Sequence, residues 1–326
     1  MRLFDFISRN TPWLAAGALL TFLSSFGQTF FISVFAGEIR ADFGLSHGEW
    51  GGLYSLDTAV SAIVMIWAGA LADVFRVRVI GPVVLLGLAL ACVAMAFNSL
   101  VWVLPIVIFA LRLFGQGMLS HVAVVSMARW FVAMRGRALS IATLGFAVGE
   151  AVLPLVFVFL MTIMDWHLLW LVAAAVALAG IPILATLLRQ ERTPQSMATQ
   201  ASSTGMGGRH WTRRDALFHP LFWYMVPATL GPSAFNTAFF FHQVHFAEIK
   251  GWTHLDLVAL FPIYTATGIA ALFLSGWGLD KYGTARLMPF YQLPMALSFV
   301  AFAMAAGGWL QSRKVAETMS KRITDL

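Results

Sequence analysis

Nine runs of about twenty residues, each nearly free of charge, dominate the chain: 13–35, 50–71, 79–97, 101–124, 138–160, 168–188, 220–243, 257–279 and 287–310. A run this long and apolar is what an α-helix needs to cross the roughly 30 Å hydrocarbon core of a bilayer. Only 11% of the residues are charged, 60% are hydrophobic and the mean hydropathy is +0.80, whereas soluble domains carry about 25% charged residues. A water-soluble core of 326 residues cannot hide that much apolar surface, so lipid is the solvent for most of the chain. A transmembrane barrel would instead alternate polar and apolar residues over strands of about ten. The fold class is therefore all-α membrane protein.

The first run follows "MRLFDFISRN" and continues to "FFISVFAGEIR". That is longer than the apolar core of a cleavable signal peptide, and it is read as a retained helix. The lone cysteine, Cys92, allows no internal disulfide. The net charge of +6 is explained by topology, with no nucleic-acid partner. With the N-terminus in the cytoplasm, fourteen basic residues fall inside, among them Arg9, Arg76, Arg78, Arg129, Arg137, Arg214 and Arg286, and through the ninth run only Arg40 and Lys250 fall outside. This asymmetry sets orientation. The expected location is the plasma membrane, a bacterial inner membrane, crossed many times.

Two loops resemble one another. "GALADVFRVR" (69–78) follows the second run and "GWGLDKYGTAR" (276–286) follows the eighth. Each has a Gly four residues before an Asp and basic residues after it. A repeated six-helix unit follows, with a bundle over 1–190, a cytoplasmic connector over 191–218, three helices of a second bundle over 219–310 and an atypical tail over 311–326. The connector is polar and rich in Gly and Ser, hence a flexible linker by composition. Its "GMGG" lacks the Gly-Lys-Ser/Thr of a phosphate loop. The tail would place four basic residues outside. Either the chain is truncated after its ninth helix or the ninth run does not cross, and truncation is the preferred reading.

The paired Asp loops, the six-helix repeat and the long connector together resemble the major facilitator superfamily. Gly69, Leu71, Ala72, Asp73 and Arg78 match its loop signature, while Val74 and Arg76 replace an expected Arg and Gly. The second copy keeps Gly276, Asp280, Lys281, Gly283 and Arg286. "RLFGQGMLSH" (112–121) is similar to the family's fourth-helix motif through Arg112, Gln116 and Gly117. The run through Gly145, Gly149 and Pro154 is similar to its glycine-rich fifth helix. With "FFFHQVHFAEIKGW", these segments look most like the monocarboxylate and oxalate/formate carrier branch. That branch uses a base in the eighth helix, and "LVALFPIYTATGIAALFLSGWG" has none.

The resemblance implies a secondary carrier for a small organic solute, with helices one, four, seven and ten around a central cavity. It also implies that Gly69, Asp73, Arg78, Asp280, Lys281, Gly283 and Arg286 gate conformation. Asp280 would meet the start of the fifth helix near Arg137, and Asp73 would meet an eleventh helix.

Charge inside the apolar runs sharpens this. A charged side chain at the bilayer centre costs about 2.5–3.5 kcal/mol on insertion scales, so such groups face a cavity or a partner. Arg112 and Glu150 each lie nineteen residues from Phe131, the centre of the loop joining runs four and five. Antiparallel helices rising about 1.5 Å per residue bring them to one depth, where pairing is allowed. A fixed structural pair and a working pair, with Glu150 as proton site and Arg112 as anion contact, are both open. Asp57 shares a face with Tyr54 and Ser61, as a second proton site or part of an outer vestibule. Thr21, Ser24 and Gln28 form a polar stripe on the first helix, matched by Ser233, Asn236 and Thr237 on the seventh. The substrate-binding candidates are Arg112, Gln28, Ser24, Gln116, Asn236 and Ser233.

His242 and His245 sit at i, i+3 near the outer end of the seventh run. Without a third ligand in view they read as interfacial, so no metal and no cofactor is expected. His121, Gly145 and Gly149 are assigned to helix packing, and Trp50, Trp166 and Trp211 to interface anchoring. The motifs point to a secondary carrier that moves a small organic solute, a monocarboxylate or other organic anion with protons, across the lipid bilayer by alternating access, as a monomer and with transport impaired by the truncation. A transport-incompetent membrane sensor or assembly partner is the alternative. An enzyme is not expected, because no metal-protease pair, nucleophile turn or acidic metal cluster is present in the sequence.

Overall fold

A computed structural model describes residues 3–131, 134–190, 212–282 and 284–287, with single positions at 290, 293 and 297. Most of the connector (191–211), Gly283, the greater part of the expected ninth run and the 311–326 tail lie outside the described residues, as do Trp211 and the side chains of Asp280 and Lys281. Two compact units are resolved. One comprises 1–209 with 237–268, and the other 210–236 with 269–326.

Among the described residues every regular element is a helix and none is a strand. Six helices are long and apolar enough to cross a membrane, seven if a bent pair is counted as one span. The second to sixth spans are His47–Ala68, Val77–Phe97, Leu104–Trp130, Arg135–Met161 and Trp166–Leu187, each within a few residues of its apolar run at most ends. The expected seventh run is a helix, Pro220–Phe241, with Pro227, Pro232, Ser233, Asn236 and Thr237 along it, and it is not among the six. The eighth begins at His254 and continues through the helix Phe261–Tyr282.

Local chemistry sets several boundaries. Gly44, at φ +64°, closes the helix Ala36–Phe43 in the left-handed conformation that glycine adopts without a steric penalty. Ser46 then starts the second span with a reciprocal box. Its hydroxyl accepts from the Glu49 N–H at 3.2 Å, and the Glu49 carboxylate accepts from the Ser46 N–H at 2.9 Å. Asp165 caps the sixth span by accepting from the His167 N–H at 2.9 Å. That bond, with a second from the His167 ring, holds the Asp165 carboxyl below the usual carboxylate range.

The first span corrects the sequence reading. It is not one straight helix over 13–35. Leu3–Leu23 ends in a tight turn at Ser24–Gly27, Gln28 is extended, and the chain resumes at Thr29 with a 45° bend. The break faces a widened π-helical stretch of the fourth span, Arg112–Leu119. At the crossing, glycine meets glycine. A Cβ on Gly115 would lie 2.5 Å from the Gly27 Cα, and one on Gly27 would run into the Leu111 carbonyl.

The fifth span crosses the first just as closely. A Cβ on Gly145 would meet the Ala18 carbonyl, and one on Gly149 the Ser25 hydroxyl. Thr21 Oγ1 donates to the Ala142 carbonyl at 2.5 Å. The packing role expected of both glycines is what the geometry shows. An aromatic cluster locks the first, fifth and sixth spans together. The Phe31 ring packs edge-on against Phe157 at 4.8 Å and Trp170 at 5.4 Å, and Phe35 lies 5.0 Å from Trp170; such pairs add about 0.5–1.5 kcal/mol beyond the area they bury.

The outward faces of the spans are apolar. On the second span the buried residues are Trp50, Tyr54, Asp57 and Ser61, one narrow stripe, while Leu56, Ile63 and Trp67 are exposed. Large exposed apolar side chains on long helices belong in lipid. Trp50 and Trp166 are a correction. Both are buried, and the Trp166 indole donates to Asp42 at 3.0 Å, so neither anchors the bundle at the lipid interface.

In the second unit, Thr212 and Asp215 form another capping box at the start of Arg213–Phe218. The Trp223 indole donates to the Leu217 carbonyl at 2.8 Å.

Candidate functional site

The break in the first span frees backbone oxygen, and a buried cation uses it. Arg112, 3% exposed, opens the π-helical stretch of the fourth span. Its Nη1 donates to the Gly27 carbonyl at 3.2 Å and to Thr29 Oγ1 at 3.1 Å, and its Nε donates to Thr58 Oγ1 at 3.2 Å. The guanidinium carbon also lies 5.3 Å from the centre of the Tyr54 ring, a cation–π contact. Tyr54 donates its hydroxyl to the same Thr29 oxygen at 3.0 Å.

All three acceptors of Arg112 are neutral. Hydrogen bonds to a charged group contribute about 1.5–3 kcal/mol each, so three of them offset an insertion cost of about 2.5–3.5 kcal/mol. The guanidinium is thus held in place as a cation, and among the described residues no carboxylate forms an ion pair with it.

Glu150 is not its partner. The two residues share no ion pair or hydrogen bond. Glu150 lies buried in the fifth span, and its one hydrogen-bond contact among the described residues is the Thr265 hydroxyl at 3.5 Å, the outer limit of such a bond. Equal depth in the bilayer, which the loop spacing implies, does not bring the two side chains together. Asp57 shares a face of the second span with Tyr54 and Ser61, as the spacing predicts; it is buried, and its Oδ2 has no hydrogen-bond partner among the described residues. Three buried ionisable groups therefore stand in one unit, none neutralised by another.

A second polar chain runs along the first span. Gln28 Nε2 donates to Ser120 Oγ at 3.3 Å, Ser120 to Ser24 Oγ at 3.1 Å, and Ser24 to the Thr21 carbonyl at 2.7 Å. Ser24 and Gln28 are thus tied to the fourth span. Gln116 is exposed on the π-helical stretch, and Ser233 and Asn236 are exposed in the second unit.

The loop at 69–78 is tied to the fourth span too. Arg129 Nη2 pairs with the Asp73 carboxylate, and its Nη1 donates to the Ala72 carbonyl at 3.2 Å. His121 Nε2 lies 3.1 Å from the Gly69 carbonyl, which can only accept, so that nitrogen is the donor. The resemblance assigned Asp73 a partner on an eleventh helix. The partner here is Arg129, which the motif reading missed because it lies eight residues beyond the fourth-helix motif. Arg78, Arg137 and Arg286 are exposed. The expected meeting of Asp280 with the fifth helix lies outside the described residues.

Thr29, Thr58 and Tyr54, which hold Arg112 directly, were not among the sequence candidates as its partners. A clue existed, since Tyr54 and Thr58 lie one turn apart on the helix that carries Asp57. The family is decided by the comparison with known proteins, in which the Major Facilitator Superfamily profile matches residues 17–313. The chain belongs to the major facilitator superfamily. No curated protein and no solved structure matches it. Membership makes this a multi-pass membrane transporter acting on a small-molecule substrate.

Proposed function

We propose that the protein is a proton-linked secondary carrier of small organic anions, of the monocarboxylate type, working by alternating access with its N-terminus in the cytoplasm. The observation that carries this reading is the Arg112 guanidinium, buried and held only by neutral oxygens. A cation fixed by neutral groups keeps its charge available for an incoming carboxylate, which its planar fork matches. Glu150 and Asp57 serve as the proton sites. Neither is tied up in an ion pair, and in membrane carriers buried acids of this kind relay protons. Ser24, Gln28 and Gln116 belong to the helices beside Arg112 and position the substrate.

Gating falls to the Asp73 loop. Its fastening to Arg129 and His121 holds the cytoplasmic ends of the second and fourth spans together, with Arg78 and Arg137 as further residues of the inner latch. The lysine and arginine asymmetry between loops supports the orientation.

The test is uptake of a labelled monocarboxylate by proteoliposomes under an imposed pH gradient. The expected result is accumulation driven by the gradient, lost in Arg112→Met and uncoupled from pH in Glu150→Gln. Accumulation unchanged in Arg112→Met would overturn the anion contact, and ligand binding without flux would point to a sensor instead.

A further inference from the structure

We propose that His47, His245 and Glu248 form a binding site for a divalent transition-metal cation, with Zn²⁺ the best chemical match. The residues come from two segments. His47 begins the second span, at the end remote from the Asp73 loop, and His245 and Glu248 lie one turn apart on the helix Gln243–Lys250. One ligand atom from each lies within 4.8 Å of the other two. The His245 Nδ1 is 3.5 Å from Glu248 Oε2, and the His47 and His245 ring centres are 4.6 Å apart.

Zinc bonds of about 2.0–2.2 Å place tetrahedral ligand atoms about 3.4 Å from one another. The Glu248–His245 separation already meets that figure, and rotation of exposed side chains supplies the rest. Two imidazoles and one carboxylate are also a donor set that zinc accepts with water in its fourth position. A cavity of about 160 Å³ adjoins the histidines and has room for such a water. Arg40 and His242 share its wall. The permanent charge of Arg40 opposes a cation and weakens its binding.

The two ligand-bearing segments are fixed relative to each other without any metal. The buried Gln243 amide donates to the Phe30 carbonyl at 3.0 Å. Next to it, the Phe241 ring lies parallel to Trp50, at an interplanar angle of 10°, and 4.9 Å from Tyr54. The donors are thus preorganised by packing. The i, i+3 spacing of His242 and His245 was the visible signal in the sequence, but the metal-binding pair is His245 with Glu248, and His47 is brought in by the fold.

A cation there would join the start of the second span to the helix after the seventh. On the transport reading proposed above, that end could no longer open, and the cation would inhibit uptake.

The experiment is titration of the full chain in detergent with Zn²⁺ by calorimetry, and with Co²⁺ followed through its visible absorption. One saturable site per chain is expected. Removing a group that only orients a metal ligand already costs about 10–100-fold in affinity, so His47→Ala, His245→Ala and Glu248→Gln should each weaken binding by about tenfold or more, while His219→Ala leaves it unchanged. Absence of saturable binding, or binding that survives either His47→Ala or His245→Ala, would overturn the site. These readouts require no transport. Zn²⁺ that binds yet leaves proteoliposome uptake unchanged would overturn the clamp alone.

Discussion

Gly27 and Gly115 meet backbone to backbone where the broken first span crosses the π-helical stretch of the fourth. With a Cβ on either glycine overlapping main-chain atoms of the other helix, no side-chain rotation can relieve an added methyl. Gly115→Ala and Gly27→Ala should therefore each cost about 1–3 kcal/mol or more, the range for overpacking. They should also displace the carbonyl that accepts from Arg112. Thermal unfolding in detergent checks the first effect, and the uptake assay the second. A melting temperature unchanged in both variants would contradict the contact.

Arg112 offers a separation of stability from function. Its acceptors are neutral, so Arg112→Met leaves no buried charge without a counter-charge. It does strip the donor from the buried Gly27 carbonyl, and an acceptor left unsatisfied costs about 1–3 kcal/mol. The variant should therefore fold and melt several degrees below the native protein while losing anion binding altogether. Arg112→Lys keeps the charge but cannot reach Thr58, Thr29 and Gly27 together, so substrate affinity should fall by about tenfold, equivalent to 1.4 kcal/mol. Both are read by ligand-induced shifts in melting temperature.

The Asp73–Arg129 pair is more than one-third exposed on each side. Exposed pairs contribute about 0.2–1 kcal/mol, so Asp73→Asn should barely change stability. If the pair holds a gate, however, the same change should alter the rate of transport. The exchange Asp73→Arg with Arg129→Asp should restore more activity than either single substitution allows. A double-mutant cycle on initial uptake rates measures this, and additive losses would count against a gating role.

Asp165 gives a pH signature at the start of the sixth span. Its carboxyl is held below the ordinary value of 3.8 by the His167 N–H and ring. A depressed pKa stabilises the fold above the unfolded value, and that contribution disappears as pH falls through the lower folded value. Asp165→Ala should thus lower the melting temperature at neutral pH. The gap from the native protein should narrow once the medium is acidified below about 3.8, the unfolded-state value. A gap independent of pH would assign the effect to something other than the charged cap.

Sequence periodicity was enough to find the second to sixth spans and the Tyr54–Asp57–Ser61 face. Those features follow from local rules: apolar length and helical repeat. The broken first span does not, because the bend at Gln28 is imposed by the approach of Gly115 from another helix. The π-helical turns at Arg112–Leu119 are equally invisible to a 3.6-residue pattern. Loop arithmetic allows Arg112 and Glu150 to pair but carries no information on which way either side chain faces, and the two share no ion pair or hydrogen bond. Trp50 and Trp166 sit near helix ends as interface anchors do, yet both turn inward, Trp50 against Phe241 and Trp166 towards Asp42.

The narrow buried stripe on the second span has a consequence for how this helix is held. Trp50, Tyr54, Asp57 and Ser61 are its buried residues, and all are aromatic or polar. Hydrocarbon chains wet most of the remaining circumference, so exchanging one aliphatic residue for another there should pass almost unnoticed. Its angular setting in the bundle is written in four letters, and a change to any of them would let the helix turn about its own axis.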